Sequence, residues 1–370
     1  MTYKTIDPST YEQQLAQKVQ RLTAKLAAFD APALEVFPSP QTHYRMRAEF
    51  RVWHEGDDLY YIMFNPETRE KIRMDEFVPG SRLINQLMQQ LIERLKPNDI
   101  LRRKLFQVDF LTTSTQQAVI SLLYHRPLDD QWQQHAEQLR SQLEDACELE
   151  CLHIIGRARK QKRVLESDTV TDKVNVAGRD YWLRQTENSF TQPNHAINEA
   201  MLAWADKHTQ SSDGDLLELY CGNGNFTIPL ARNFTKVLAT EISKSSVAAA
   251  RENAALNKVD NVTVVRMSAE DFTAALKGEK TSQRIAEAQL EQFSCRTVLV
   301  DPPRAGLDEQ TLALVANYDT ILYISCNPDT LSANLATLCE SHDVAAAALF
   351  DQFPYTEHME SGVLLRRRSS

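Results

Sequence analysis

The spacing of apolar positions changes character about halfway along the chain. Between Tyr11 and Phe29, Leu15, Val19, Leu22 and Leu26 recur at helical intervals with polar residues between them, which predicts an amphipathic helix. Pro32, Pro38 and Pro40 end it. Tyr44 to His54 alternates loosely, and Leu59 to Phe64 follows the turn Glu55-Gly56-Asp57-Asp58, so this stretch predicts a strand pair. Ser81 to Leu95 predicts an amphipathic helix stopped by Pro97. Leu105 to Leu111 and Ala118 to Tyr124 predict a second strand pair, Asp129 to Leu143 a helix, and Leu149 to Ile155 and Val164 to Leu165 further strands. Residues 1–185 are therefore expected to form an α+β domain, an antiparallel sheet with helices on one face.

From about Asn188 the pattern becomes a regular alternation of strand and helix. Strands are expected at Asp215 to Tyr220, Lys236 to Ile242, Val262 to Met267, Thr297 to Val300, Thr320 to Ser325, Ala345 to Phe350 and Gly362 to Leu365. Apolar strands separated by helical stretches predict a doubly wound, Rossmann-like α/β domain over residues 186–370, with a mostly parallel seven-stranded sheet. The last two strands are too close in sequence for a helical crossover, so the last strand is expected to be antiparallel. Sheets of this kind bind ligands at the carboxyl ends of their strands near the switch point. Every chemically suggestive residue of this half falls at such an end.

Composition narrows the possibilities. With 370 residues, 42% of them hydrophobic and 25% charged, the chain can build two ordinary globular cores. It has no apolar run long enough to span a membrane and no apolar stretch at its start that reads as a signal peptide, so a cytoplasmic location is expected. The six cysteines are scattered, without CxxC pairs or zinc-ligand spacing, so neither disulfides nor a metal site are expected. A net charge of −9 argues against indiscriminate coating of nucleic acid. Local basic clusters exist nonetheless. Arg45, Arg47 and Arg51 interleave with Tyr44, Phe50 and Trp53; Arg102, Arg103 and Lys104 precede Phe106; Arg157, Arg159, Lys160, Lys162 and Arg163 crowd one short segment. All three lie in the first half, where they point to an RNA-recognition surface.

The chemistry is concentrated in the second half. Tyr220-Cys221-Gly222-Asn223-Gly224-Asn225 joins the first strand to its helix, and the glycines allow a tight turn and close approach of a ligand. The third glycine of a pyrophosphate-binding fingerprint is missing, so a nucleoside without phosphates fits better. Glu241 ends the next strand, 19 residues beyond Gly222, where a carboxylate can accept both hydroxyls of a ribose. Together these features suit S-adenosylmethionine. Asp301-Pro302-Pro303-Arg304 closes the fourth strand; the prolines stiffen the turn that aims Asp301 into the cleft. Arg304 stands where amine methylation would favour an aromatic ring, and it suits a carbonyl-bearing base or a phosphate. Cys326 ends the fifth strand just before a helix begun by Pro328, where helix N–H groups are expected to favour the thiolate. Methylation of uracil at C5 requires a thiolate to add at C6 and a general base to remove the C5 proton. Glu357, His358 and Glu360, in the loop before the last strand, are the candidates for that base, and position alone does not choose among them.

With these residues assembled, the chain resembles the RNA 5-methyluridine methyltransferases, and within them the tRNA (uracil-5-)-methyltransferase branch. The resemblance runs nearly end to end and is densest at Phe190-Thr191-Gln192-Pro193-Asn194, Leu217 to Phe226, Asp301 to Gly306, Ser325 to Pro328 and His358-Met359-Glu360. It implies that Gln192, Tyr220, Asn225, Glu241 and Asp301 contact S-adenosylmethionine, that Cys326 is the nucleophile, and that Glu360 is the base. The implied product is 5-methyluridine at position 54 in the T-loop of tRNA. The resemblance leaves room for other RNAs with T-loop-like folds, such as tmRNA, and no motif marks an obligate protein partner. Related enzymes acting on ribosomal RNA typically carry a cysteine-ligated iron–sulfur cluster and an N-terminal barrel. Here no cysteine precedes Cys147, so no such cluster can be built, and the N-terminal pattern lacks an obvious barrel; both absences favour tRNA, with a cluster-free ribosomal RNA enzyme as the alternative. A vestigial RNA-folding factor would not need the Cys326, Asp301 and Glu360 set. The target base must be flipped out of its loop, and Phe106 is the candidate to stack in its place, with His125 and Arg51 as further RNA contacts.

Overall fold

The apolar patterns condense into two large sheets, each with its own core. A computed structural model describes residues 6–65, 67–210, 212–281, 286 and 288–368. The chain packs as two compact units: the first is built mainly from residues 40–173 and 184–195, the second from residues 10–39, 174–183 and 196 onward. Helix α1 (Tyr11–Leu26) and the short strand β1 (Glu35–Phe37) therefore come early in the chain but belong to the second unit.

The first unit runs β2 (Arg47–Glu55), β3 (Asp58–Phe64), β4 (Lys71–Met74), α2 (Arg82–Leu95), α3 (Asp99–Arg102), β5 (Leu105–Thr112), β6 (Gln117–Tyr124), α4 (Asp130–Cys147), β7 (Cys151–Ala158) and β8 (Gln161–Leu165). Its seven strands lie in the order β4-β3-β2-β5-β6-β7-β8. The neighbours pair antiparallel except β6 and β7, which are parallel. This corrects the expected all-antiparallel sheet: α4, at 18 residues, is long enough to act as a crossover. Side chains of Ser81, Asn98 and Asp129 accept backbone N–H bonds at the starts of α2, α3 and α4, fixing where each begins. Leu83, Leu87 and Leu91 of α2 and Trp132, Leu139 and Leu143 of α4 join Phe50, Val52, Val108 and Ile154 in one core. Arg51 and Trp53, the alternate positions of β2, stay exposed.

Strands β9 (Thr169–Val176) and β10 (Arg179–Thr186) pair across Ala177-Gly178, both with positive φ. The second unit continues with α5 (His195–Thr209), β11 (Asp215–Leu219), α6 (Thr227–Leu230), β12 (Val237–Glu241), α7 (Lys244–Leu256), β13 (Val262–Arg266), α8 (Ala269–Leu276), β14 (Cys295–Val300), α9 (Glu309–Val315), β15 (Thr320–Ser325), α10 (Pro328–Leu338), β16 (His342–Phe350) and β17 (Glu360–Arg367). Its sheet has the order β1-β16-β17-β15-β14-β11-β12-β13. Only β17 is antiparallel to its neighbours. All seven expected strands are present, and β1 adds an eighth at the edge beside β16. Strand order reverses at β11 and β14, which makes the gap between their carboxyl ends the switch point.

One tight contact in the first unit is directly testable. A Cβ on Gly156 of β7 would run into the Trp132 ring and sit 2.5 Å from Leu128 Cδ1. Gly156→Ala should therefore destabilise the protein by about 1–3 kcal/mol through overpacking, measured as a lower midpoint in urea titration.

Candidate active site

The turn after β11 is bent by its backbone. Tyr220, Gly222 and Gly224 all have positive φ, at 64°, 55° and 86°. Such a conformation is uncommon for tyrosine and marks a constrained site. A Cβ on Gly222 would meet nothing within 4 Å, so its outer side is open to a ligand. Glu241, at the end of β12, accepts the Gly222 N–H at 3.1 Å on one carboxylate oxygen and the Ser243 N–H at 2.7 Å on the other. The carboxylate is thus oriented, and each oxygen keeps a lone pair for a ribose hydroxyl. Ile242, beside it, is 66% exposed, an apolar surface suited to a purine face. Asn225 exchanges two amide hydrogen bonds with Asn198 of α5, at 2.8 and 3.0 Å. The residues present thus suit an uncharged nucleoside carrying a ribose. Burial, with Glu270 and Asp308 adding to it, pushes the Tyr220 phenol up to about 12, so it remains a neutral hydrogen-bonding group.

The reaction centre lies at the neighbouring strand ends. Asp301 follows β14, Cys326 follows β15, and Glu360 opens β17. Ser325 is paired with Ser361 across the antiparallel β15–β17 ladder, so the next step of the register sets Cys326 opposite Glu360. The Arg304 carbonyl accepts from Asn327 Nδ2 at 3.0 Å and Thr330 Oγ1 at 3.3 Å, tying the Asp301 turn to the start of α10. Asn334 reinforces the tie by accepting the Leu307 N–H and the Tyr323 hydroxyl on one oxygen.

Burial dominates the electrostatics of this centre. Desolvation, with Glu360 and Asp301 adding their charges, pushes the Cys326 thiol up to about 11, against a smaller downward pull from Arg304. That corrects the expectation of a thiolate favoured by the helix start. The Asn327 side chain caps α10 through the Asp329 N–H, and the two nearby acids oppose a second negative charge. Desolvation also pushes Asp301 up to about 7 and Glu360 well above its ordinary range, the latter with Asp301 adding to it. Of the other two base candidates, Glu357 has a side chain 94% exposed and reaches toward Arg21, and His358 is exposed.

The family model described as tRNA (uracil-5-)-methyltransferase matches residues 10–368. The chain belongs to that family. A tRNA/tmRNA (uracil-C(5))-methyltransferase of Idiomarina loihiensis is 67% identical over 369 residues, covering all of both chains. One of Vibrio parahaemolyticus is 57% identical over 366 residues, 98% of this chain and 99% of that one. Among solved structures, the Pyrococcus abyssi tRNA (uracil-54, C5)-methyltransferase, in complex with S-adenosyl-L-homocysteine, matches 96% of this chain and 83% of its own. Its TM-score is 0.71 at 20% identity, a likeness of fold.

In this tRNA (uracil-5-)-methyltransferase the residues proposed to meet RNA come together on the first unit. The rings of Phe106 and His125 stack at 3.9 Å with 9° between planes, and the Arg51 guanidinium lies 5.4 Å from the Phe106 centroid. Phe106 and His125 border a cleft of about 740 Å³ that Arg126, Arg157 and Arg159 also line. Gln192 is carried by the first unit, whereas Tyr220, Gly222, Asn225, Glu241, Asp301, Arg304, Cys326 and Glu360 all belong to the second. Among the described residues no group of His, Cys, Asp or Glu is arranged to hold a metal, and no helix is long and apolar enough to cross a membrane.

Sequence reasoning missed Glu218. It sits inside β11, is 1% exposed, and has a carboxylate oxygen with no hydrogen-bond partner. Desolvation, with the Asp301 charge adding to it, pushes it up to about 8. The folded protein therefore keeps a proton that the unfolded chain releases between about pH 4.5 and 8, and wild-type stability declines across that window. Glu218→Gln removes Glu218's share of that decline, while Asp301 and Glu360 keep theirs. Its melting temperature should exceed wild type by a margin that grows from pH 5 to about 8 and then levels off, as read by differential scanning fluorimetry across pH.

Proposed function

We propose that this enzyme methylates C5 of uridine 54 in the T-loop of tRNA through a covalent adduct between Cys326 and C6 of the base. The relatives' names include tmRNA, which supports extending the substrate class to RNAs with T-loop-like folds. The observation that carries the mechanism is the β15–β17 register, whose last pair, Ser325 with Ser361, continued by one step places Cys326 opposite Glu360. Directly opposed residues in an antiparallel pair lie about 5 Å apart, close enough for two groups to act on adjacent ring atoms.

S-adenosylmethionine supplies an electrophilic methyl group, and Tyr220, Gly222, Asn225, Glu241 and Asp301 are the residues that would hold it. The work of this chain is then as follows. The Cys326 thiolate adds to C6, which makes C5 nucleophilic. After methylation the Glu360 carboxylate takes the C5 proton, the C–H electron pair closes the C5–C6 double bond, and the C6–S pair returns to sulfur. Arg304 favours the thiolate and offers positive charge to the carbonyl-bearing base or its phosphate. Phe106, His125 and Arg51 receive the T-arm, the aromatic pair providing a stacking platform that can replace an extruded base. Cytoplasmic action on free tRNA accords with this reading.

Cys326→Ser should abolish methyl transfer to unmodified tRNA, and wild type should form a denaturation-stable adduct with 5-fluorouridine tRNA, because fluorine cannot leave as a cation. Turnover by the serine variant at the wild-type rate would refute the covalent route. Competition between tRNA and ribosomal RNA fragments checks the substrate class.

The raised thiol also sets a pH dependence. The productive form of Cys326 is deprotonated, and its pKa of about 11 lies above the working range. Since kcat/KM reports the free enzyme, it should climb about tenfold per pH unit across neutral pH. Arg304→Gln should lower it at each pH by removing the charge that favours the thiolate. Stopped-assay rates across pH, with an independent check that the RNA remains folded, measure both.

A further inference from the structure

Helix α1 does more than fill an edge of the second unit. Gln14, Lys18, Arg21 and Lys25 follow one another at spacings of four, three and four residues, so they share one face. Each makes a polar contact with a loop that flanks the reaction centre. Gln14 Oε1 accepts the Tyr355 N–H at 2.6 Å. Lys18 Nζ donates to Asp351 Oδ1 at 2.6 Å and to the Phe353 carbonyl at 2.9 Å. Arg21 Nη1 donates to the Glu357 carbonyl at 3.3 Å. Lys25 Nζ lies 2.8 Å from the Asp329 carboxylate in the first turn of α10, three residues past Cys326. The Tyr11 ring, also on α1, meets Tyr355 edge-on at 5.8 Å.

The Lys18–Asp351 pair stands out because it is buried. Lys18 is 4% exposed and Asp351 is 0% exposed. Burying two charges costs desolvation that an apolar pair would avoid, so such a pair adds little net stability and more often fixes a geometry. What it fixes here is the start of the irregular segment between β16 and β17, whose last step delivers Glu360. The stiff β16–β17 ladder resumes only at Phe350 opposite Glu360. Between those ends the path of the loop is set by its bonds to α1.

We propose that the polar face of α1, with Lys18 at its centre, is a positioning element that holds the Glu360 loop in register for removal of the C5 proton. The proposal rests on the assignment of Cys326 and Glu360 made above. Addition of the Cys326 sulfur to C6 depends on β15 and α10, whereas the last step depends on where the Glu360 carboxylate lies. Loss of Lys18 therefore slows one step selectively. The C–H pair cannot close the C5–C6 double bond until the carboxylate takes the proton, and the C6–S bond survives until it does.

The test uses full-length Lys18→Met, Lys18→Arg and Arg21→Met enzymes with unmodified tRNA and S-adenosylmethionine, quenched in denaturant and run on a gel that resolves protein–RNA adducts. For Lys18→Met we expect turnover at least tenfold slower, a KM for tRNA within twofold of wild type, and accumulation of a methylated adduct on ordinary uridine. Adduct formation with 5-fluorouridine tRNA should keep its wild-type rate. Lys18→Arg should recover part of the turnover, and Arg21→Met should accumulate the same adduct to a smaller extent. Wild-type turnover in Lys18→Met, or slow turnover without adduct on ordinary uridine, overturns the proposal. If Lys18→Met does not fold, absence of adduct in Arg21→Met overturns it. Failure of wild type itself to trap 5-fluorouridine tRNA would instead strike the Cys326 assignment.

Discussion

The active centre depends on one strand running the wrong way. In a sheet whose other strands are parallel, β17 lies antiparallel between β15 and β16. The start of β17 therefore coincides with the carboxyl end of β15, and residues 326 and 360, far apart in sequence, become neighbours at the edge where ligands bind. The period of a strand is two, so a one-residue slip would turn Glu360 to the other face of the sheet. Burial of both faces of these strands opposes such a slip: Ile321, Tyr323, Ile324, Val363 and Leu365 are all fully enclosed. Packing far from the chemistry thus sets the distance on which the chemistry depends.

The parts of the fold that can be read from the chain are those where one physical signal dominates. The seven expected strands of the second unit are short apolar runs bounded by turns, and the chemical residues stand at their ends, so both were legible. Helix α5 was not, because Ile197, Met201, Leu202, Trp204 and Ala205 leave it without a strong polar face. Strand β1 has three residues, too few to carry a period. The β9–β10 hairpin dilutes Val170, Val174, Tyr181 and Leu183 with charged residues on the opposite positions. Glu218 reads as part of a core strand, and Lys18 as an ordinary solvated lysine. Both owe their importance to burial, which local sequence does not encode. The choice among Glu357, His358 and Glu360 has the same origin, since all three occupy one short segment and only Glu360 is turned inward.

The first unit shows how partial signals can still converge. Arg51 comes from β2, Phe106 from β5 and His125 from the residue just after β6, three segments linked in sequence only by being basic and aromatic. Pairing of β2 with β5 and of β5 with β6 brings them onto one face, while the alternate residues Phe50, Val52 and Val108 go to the core. The same alternation that buries the core face leaves the other face free for a stacked ring pair and its cation.

A net charge of −9 and a cluster of acids at the reaction centre look ill suited to a polyanion such as tRNA, but the formal count overstates the charge present. Burial pushes Glu218 up to about 8, Asp301 up to about 7, and Glu360 well above its ordinary range. Each is thereby biased toward its neutral form, so the centre offers less negative charge than its composition implies. The same burial also raises the Cys326 thiol. A site arranged in this way repels RNA less than the formal count of acids suggests. Charge on the incoming ligands then has more effect than it would in water, because the surroundings screen it poorly.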